Sequence, residues 1–188
     1  KTGMDYLLTS YITEMIGQML NERLQEMLPK SETPFAFAVT RNGAYFGVGT
    51  KDALQLIGVA KPGMADATIA TLMREVKRAS DSGFTEGEYE RAKANYQSDL
   101  EKLYNERGKQ LNGFYVRQYI DHFLKNEPIP SIEDRYNLMN QLVPHVPISA
   151  VNQTMQQLLT ERNRVVVLMG SEKEKETYPT EAAILDII

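Results

Sequence analysis

Metal or acid–base chemistry in this 188-residue chain would have to be built from two histidines, no cysteine and 25 acidic residues. The histidines stand far apart, in His122-Phe123-Leu124-Lys125 and His145-Val146-Pro147-Ile148, and neither has a ligand-type residue one helical turn away. A zinc site takes three or four protein ligands, so a lone imidazole reads as a surface or structural histidine. No metal ligand and no cofactor are expected in this chain. The absence of cysteine removes a thiol nucleophile, a disulfide framework and any Cys-ligated metal. Gly58-Val59-Ala60-Lys61-Pro62-Gly63 carries the two glycines of a phosphate loop, but Met64-Ala65 stand where Lys and Ser or Thr would reach phosphate and magnesium. Gly47-Val48-Gly49 lacks the third glycine of a dinucleotide loop, and no Gly-x-Ser-x-Gly elbow occurs. Glu86, Glu88 and Glu90 would fan around the first turn of a helix, where carboxylates favour its dipole.

That helix is marked by Thr85 with Glu88 three residues on, a capping box in which each side chain satisfies the other's backbone amide. Tyr89, Ala92, Tyr96, Leu100 and Leu103 then recur at steps of three and four and form its buried stripe. A long helix from Met4 to Leu28 precedes it, stopped by Pro29, with Leu7, Tyr11, Met15, Met19 and Leu24 among its apolar positions. Three short runs follow, Phe35–Thr40, Ala44–Gly49 and Ala53–Ala60. Arg41-Asn42-Gly43 and Thr50-Lys51-Asp52 are the expected turns of this antiparallel meander.

Helices are expected over Ala65–Ser82, beyond Gly108 with Leu111, Phe114, Tyr115, Tyr119 and Phe123 on one face, from Ser131 to Val143, from Ser149 to Leu159, and after Thr180. Pro128 and Pro130 break the pattern between two of them. Val165–Met169 reads as a central strand and Ser171–Glu176 as an exposed loop. Strands placed first and last with helices between give an α+β fold, an antiparallel or mixed sheet with helices packed on one face. One domain spanning residues 1–188 is the economical organisation.

Apolar residues make up 42% and charged residues 24% of the chain, ordinary values for a globular domain. A net charge of -4 gives no footprint for nucleic acid or an anionic membrane. Arg74, Lys77 and Arg78 cluster, but Glu75 and Asp81 sit among them. No run reaches the roughly 18 apolar residues of a membrane span. Lys1-Thr2-Gly3-Met4-Asp5 opens no signal peptide, and without an initiator Met the chain is expected to be a piece of a larger protein.

The order of several short motifs carries a family resemblance. A helix containing Asn21-Glu22-Arg23-Leu24 leads into strands, and Ala53–Ala60 ends at Lys61-Pro62-Gly63 before a helix. Gly83-Phe84-Thr85, Glu88 and Arg91-Ala92-Lys93 follow, then Asn126-Glu127-Pro128-Ile129-Pro130-Ser131, Val146-Pro147-Ile148-Ser149-Ala150-Val151 and Asn163-Arg164-Val165-Val166-Val167. Tyr178-Pro179-Thr180-Glu181 closes the series. In this order they resemble the C-terminal type of domain in the M16 metallopeptidases, the pitrilysin, insulysin and mitochondrial processing peptidase group. The resemblance implies the second, non-catalytic domain of a bacterial zinc metalloendopeptidase, periplasmic, with zinc held elsewhere in the parent. Its partners would be the other domains of the same polypeptide and a peptide substrate. A scaffold domain of the same fold in a protein without proteolysis is the second reading.

The catalytic half of that family needs His-x-x-Glu-His on a helix, and this chain has no such motif. The family also steadies substrate with a non-ligand Arg and Tyr. The matching stretch, Ala53–Ala60 with Lys61-Pro62-Gly63-Met64, has neither, while Arg41 with Tyr45 and Arg135 with Tyr136 occupy other places. No catalytic residue is carried over. The substrate-binding candidates come from strand alternation instead. In Phe35–Thr40 the large Phe35, Phe37 and Val39 alternate with the small Ala36, Ala38 and Thr40. The large set is expected beneath the helices and the small set on the other face, where the resemblance implies an open wall with room for an extended peptide and the alternative is that Ala36 and Ala38 face another packed layer.

Overall fold

The computed structural model describes residues 3–45, 48–125, 128–160, 162–172 and 177–188. Helix α1 (Met4–Met27) runs through the centre and ends just before Pro29, which cannot continue a helix. Its buried face, Tyr11, Ile12, Met15, Ile16, Met19, Leu20 and Leu24, matches the apolar periodicity. Met15 and Met19 are fully buried and fill the core. A hairpin follows, β1 (Phe35–Tyr45) and β2 (Val48–Ala60), then α2 (Ala65–Ser82) and α3 (Glu86–Asn105). Beyond them come α4 (Asn112–Lys125), α5 (Ile132–Leu142), α6 (Ile148–Leu158) and the short α7 (Glu181–Ile187).

The capping box at α3 forms as its sequence requires. The Glu88 amide donates to the Thr85 hydroxyl at 3.3 Å, and the Thr85 amide donates to the Glu88 carboxylate at 2.7 Å. Tyr89, Ala92, Tyr96 and Leu100 are buried below it. The Tyr89 hydroxyl donates to the Val146 carbonyl at 2.9 Å and lies 3.1 Å from the Tyr11 hydroxyl. Three separate segments therefore meet at one buried hydrogen-bonded point. Thr85→Ala should cost about 1 kcal/mol, and Thr85→Ser much less, because serine keeps the accepting oxygen. Urea melts of the two variants check the difference.

The α2–α3 junction is held by Asn152 of α6. Its side-chain amide accepts from the Phe84 amide at 2.8 Å and donates to the Phe84 carbonyl at 3.3 Å. Gly83 adopts φ 74° and any Cβ there would lie 2.7 Å from Asn152, so both conformation and space demand glycine. Ser131 and Thr180 cap α5 and α7 as expected, accepting from the amides of Asp134 and Ala183. Helix α6 starts one residue ahead of Ser149, behind Pro147. The basic cluster on α2 is a solvated face, with Lys77 paired to Asp81 at 3.2 Å and Arg78 to Glu75 at 2.8 Å.

Four expectations are corrected in whole or in part. The described sheet is one antiparallel two-stranded hairpin, with helices on one face. Arg41-Asn42-Gly43 does not turn but pairs with Gln55, Leu54 and Ala53, and Asp52 pairs with Ala44. The reason is tertiary: the Asn42 side chain donates to the Thr13 carbonyl of α1 at 3.0 Å, which holds it inside the strand. Val165–Met169 lies exposed outside any ladder, Met169 at 85%. Apolar character alone supplies no backbone partner, and a strand needs one. In α4 the expected apolar face is half correct, since Phe114 and Tyr115 turn inward while Leu111, Tyr119 and Phe123 remain exposed. Of the expected loop Ser171–Glu176, residues 173–176 lie outside the described residues, and Ser171 and Glu172 are exposed.

Candidate functional site

The hairpin decides which side chains can meet a ligand. A β-bulge lies between Phe35 and Phe37, which pair with the adjacent residues Ala60 and Val59. Ala36 is the extra residue, and past a bulge the alternation changes phase. Phe35 points to the helices, as do Ala38 and Thr40 beyond the bulge. Ala38 is 0% exposed and packs with Leu24, Phe35 and Leu72. The three small residues proposed as one open wall do not share a face, because Ala36 is exposed whereas Ala38 and Thr40 are buried. The large residues divide in the same way. Phe35 is in the core and Phe37 is 46% exposed.

The face without helices carries the cross-strand pairs Phe37 with Val59, Val39 with Ile57, and Arg41 with Gln55. Val59 is 54% and Ile57 38% exposed, so an apolar stripe ends in a cation. Cross-strand neighbours on one face lie side-chain to side-chain, so this stripe is continuous. The sequence missed it because the bulge cannot be read from the alternation of Phe and Ala. Gly58 on β2 points the other way. A Cβ there would lie 2.9 Å from Thr68 and 3.0 Å from Leu72, which lets α2 approach the sheet closely.

The edge of β1 is sheathed by α1. The Thr40 amide donates to the Asn21 side-chain oxygen at 2.6 Å, and the Asn21 side-chain nitrogen donates to the Thr40 carbonyl at 3.2 Å. Gln25 donates to the Ala38 carbonyl at 3.5 Å. Asparagine and glutamine carry the donor and acceptor that a neighbouring strand would present.

No family model matches the chain. In sequence it is 31% identical over 111 residues to a "Zinc protease PQQL-like" protein of Arabidopsis thaliana, a match over 59% of this chain and 11% of that protein. In structure it superposes on the periplasmic protease PqqL from Escherichia coli with a TM-score of 0.78 at 20% identity, covering 96% of this chain and 20% of that one. The first half of the same protease gives 0.76 at 17% identity, over 97% of this chain and 39% of the other. The chain has the fold of an M16 protease domain. A third structure, a predicted insulinase family protease from Yersinia pestis, gives 0.71 at 11% identity, with 95% and 39% covered. The chain thus spans about 11% of the length of its curated relative.

His122 is exposed on α4 and His145 is exposed in the 3-10 turn Val143–His145. Among the described residues no three His, Cys, Asp or Glu are grouped to hold a metal ion. The Arg and Tyr pairs do not form a common site here. Arg41 is exposed on the hairpin, and Tyr136 stacks on Tyr104 with ring centroids 4.3 Å apart. Among the described residues no helix is long and apolar enough to cross a membrane.

Proposed function

We propose that residues 1–188 form one non-catalytic domain, the second, of an M16-like zinc endopeptidase, and that its uncovered hairpin face forms part of the wall of a peptide-binding chamber. The supporting observation is the continuous stripe of Phe37, Val59, Val39 and Ile57 on a sheet whose other face buries Phe35, Ala38 and Thr40. An extended peptide presents alternate side chains to such a surface, and an apolar stripe takes its non-polar positions while excluding water. Ala36 beside Phe37 leaves space at one end, and Arg41 supplies a cation at the other. Zinc, its ligands and the catalytic base belong to other domains of the parent, which acts in the periplasm like the protease it resembles in fold.

The test uses the full-length parent. Ile57→Glu should leave its zinc content and melting temperature unchanged and lower peptide turnover about tenfold, through loss of apolar contact and desolvation of the new charge. Unchanged turnover in a parent that cleaves peptides would remove the stripe from the chamber. A parent without any peptidase activity would favour the scaffold reading.

A further inference from the structure

Helix α4 has two opposed faces. Phe114, Tyr115, Gln118 and Asp121 are half-buried toward the domain, while Val116, Tyr119, Ile120, Phe123 and Leu124 recur at steps of three and four on the far side. These five residues are 51–87% exposed, and no charged residue falls within the arc they span. A surface helix ordinarily turns its apolar stripe inward. Here the richer stripe is the outer one.

The inner side is incompletely packed. Phe114, Gln118 and Asp121 line a cavity of about 280 Å³ that α4 shares with α1, α3 and α5, so part of this face meets open space. At 14 residues, α4 lies in the range of about 12–15 residues where a helix is marginal in water without tertiary packing. The stripe best suited to supply that packing faces away from the domain.

Area decides the class of partner. At roughly 150–250 Å² for a large side chain, the five residues present about 600 Å² of apolar surface, the top of the range for the largest patch on a typical monomer. An obligate homodimer buries about 1,000 Å² or more from each partner, whereas contacts between domains of one chain run about 600–1,500 Å². In the relatives of this fold such neighbouring chain exists, since residues 1–188 cover 39% of the first half of the PqqL protease and 20% of the whole.

We propose that the outer face of α4 is the interface with another domain of the same polypeptide. The partner surface is apolar, filling the spaces between Val116, Ile120 and Phe123, and carries an acceptor for the Tyr119 hydroxyl. This rests on the reading of residues 1–188 as one domain of a larger protein and names the surface that joins it. Covering that face also seats α4 over its cavity.

Hydroxyl-radical footprinting of the full-length parent and of the 188-residue chain tests this. Tyr119 and Phe123 should oxidise about tenfold more slowly in the parent, because the core of an interface excludes water. Phe37 should stay reactive in the peptide-free parent, as a chamber wall faces water; its protection would count against the chamber and leave the α4 interface standing. Phe123→Lys should lower the melting temperature of the parent and leave that of the 188-residue chain unchanged, as at a surface position. Equal oxidation of Tyr119 and Phe123 in the two proteins, or equal melting shifts, would overturn the proposal. So would protection in the 188-residue chain that grows with its concentration, which would assign the face to a second copy.

Discussion

Ala38→Arg should unfold the chain. Ala38 is 0% exposed and packed against Leu24, Phe35 and Leu72, so a guanidinium there has no water and no room. Burying an unpaired polar group costs several kcal/mol, and overpacking adds about 1–3 kcal/mol. Together these rival the ~5–15 kcal/mol of a typical domain. The matched control is Val59→Arg on the uncovered face, for which about 0.5 kcal/mol or less is expected. Circular dichroism melts of both variants decide which face is which. A folded Ala38→Arg chain would mean that the bulge does not switch the phase of β1.

The second large effect belongs to Arg23 and Glu88. Arg23 Nε donates to the Glu88 carboxylate at 2.5 Å, and its Nη2 donates both to that carboxylate at 3.0 Å and to the Gly83 carbonyl at 3.2 Å. The guanidinium also lies 4.9 Å from the Phe84 ring centre. Both side chains are largely buried, at 10% and 14% exposure. Removing one partner strands the other, so Glu88→Ala or Arg23→Met should cost about 3–5 kcal/mol. The Arg23→Met, Glu88→Met double variant should recover part of that loss.

The same pair gives a pH signature. Hydrogen bonding from Arg23, with help from Thr85, pulls the Glu88 pKa from 4.5 down to about 2. A carboxyl depressed on folding contributes stability that is present above its unfolded pKa and lost as the pH falls through the folded one. Wild-type stability should therefore drop between about pH 4.5 and pH 2, and Glu88→Gln should flatten that part of the curve. Urea midpoints across this range provide the measurement. Parallel curves for wild type and variant would count against the pair.

The sequence made helices legible wherever a cap and a periodic stripe coincided. Thr85 with Glu88, and Ser131, each announced a start that geometry repeats. The likeness to M16 proteases was also readable, from the order of motifs. The sheet was not, for two physical reasons. Strand pairing is non-local, so Asn42-Gly43 looked like a turn until the Thr13 carbonyl of α1 engaged Asn42. A bulge inserts one residue without changing composition, so Ala36 hid the reversal that buries Ala38 and Thr40 and exposes Phe37. The ion pair of Arg23 was invisible because a residue on α1 and a cap on α3 are brought together only by packing. Glu88 alone signalled capping, and capping was only half of its role.

Asn21 and Gln25 along the edge of β1 have a consequence for self-association. Exposed strand edges are the templates on which identical chains stack into fibrils, and stacking without limit requires two free edges per molecule. Here one edge is already occupied by amides that imitate a strand. Copies meeting through the outer edge of β2 would form a pair and stop, since the described residues offer no second free edge. Two asparagine and glutamine side chains thereby turn a potential polymer end into a terminator.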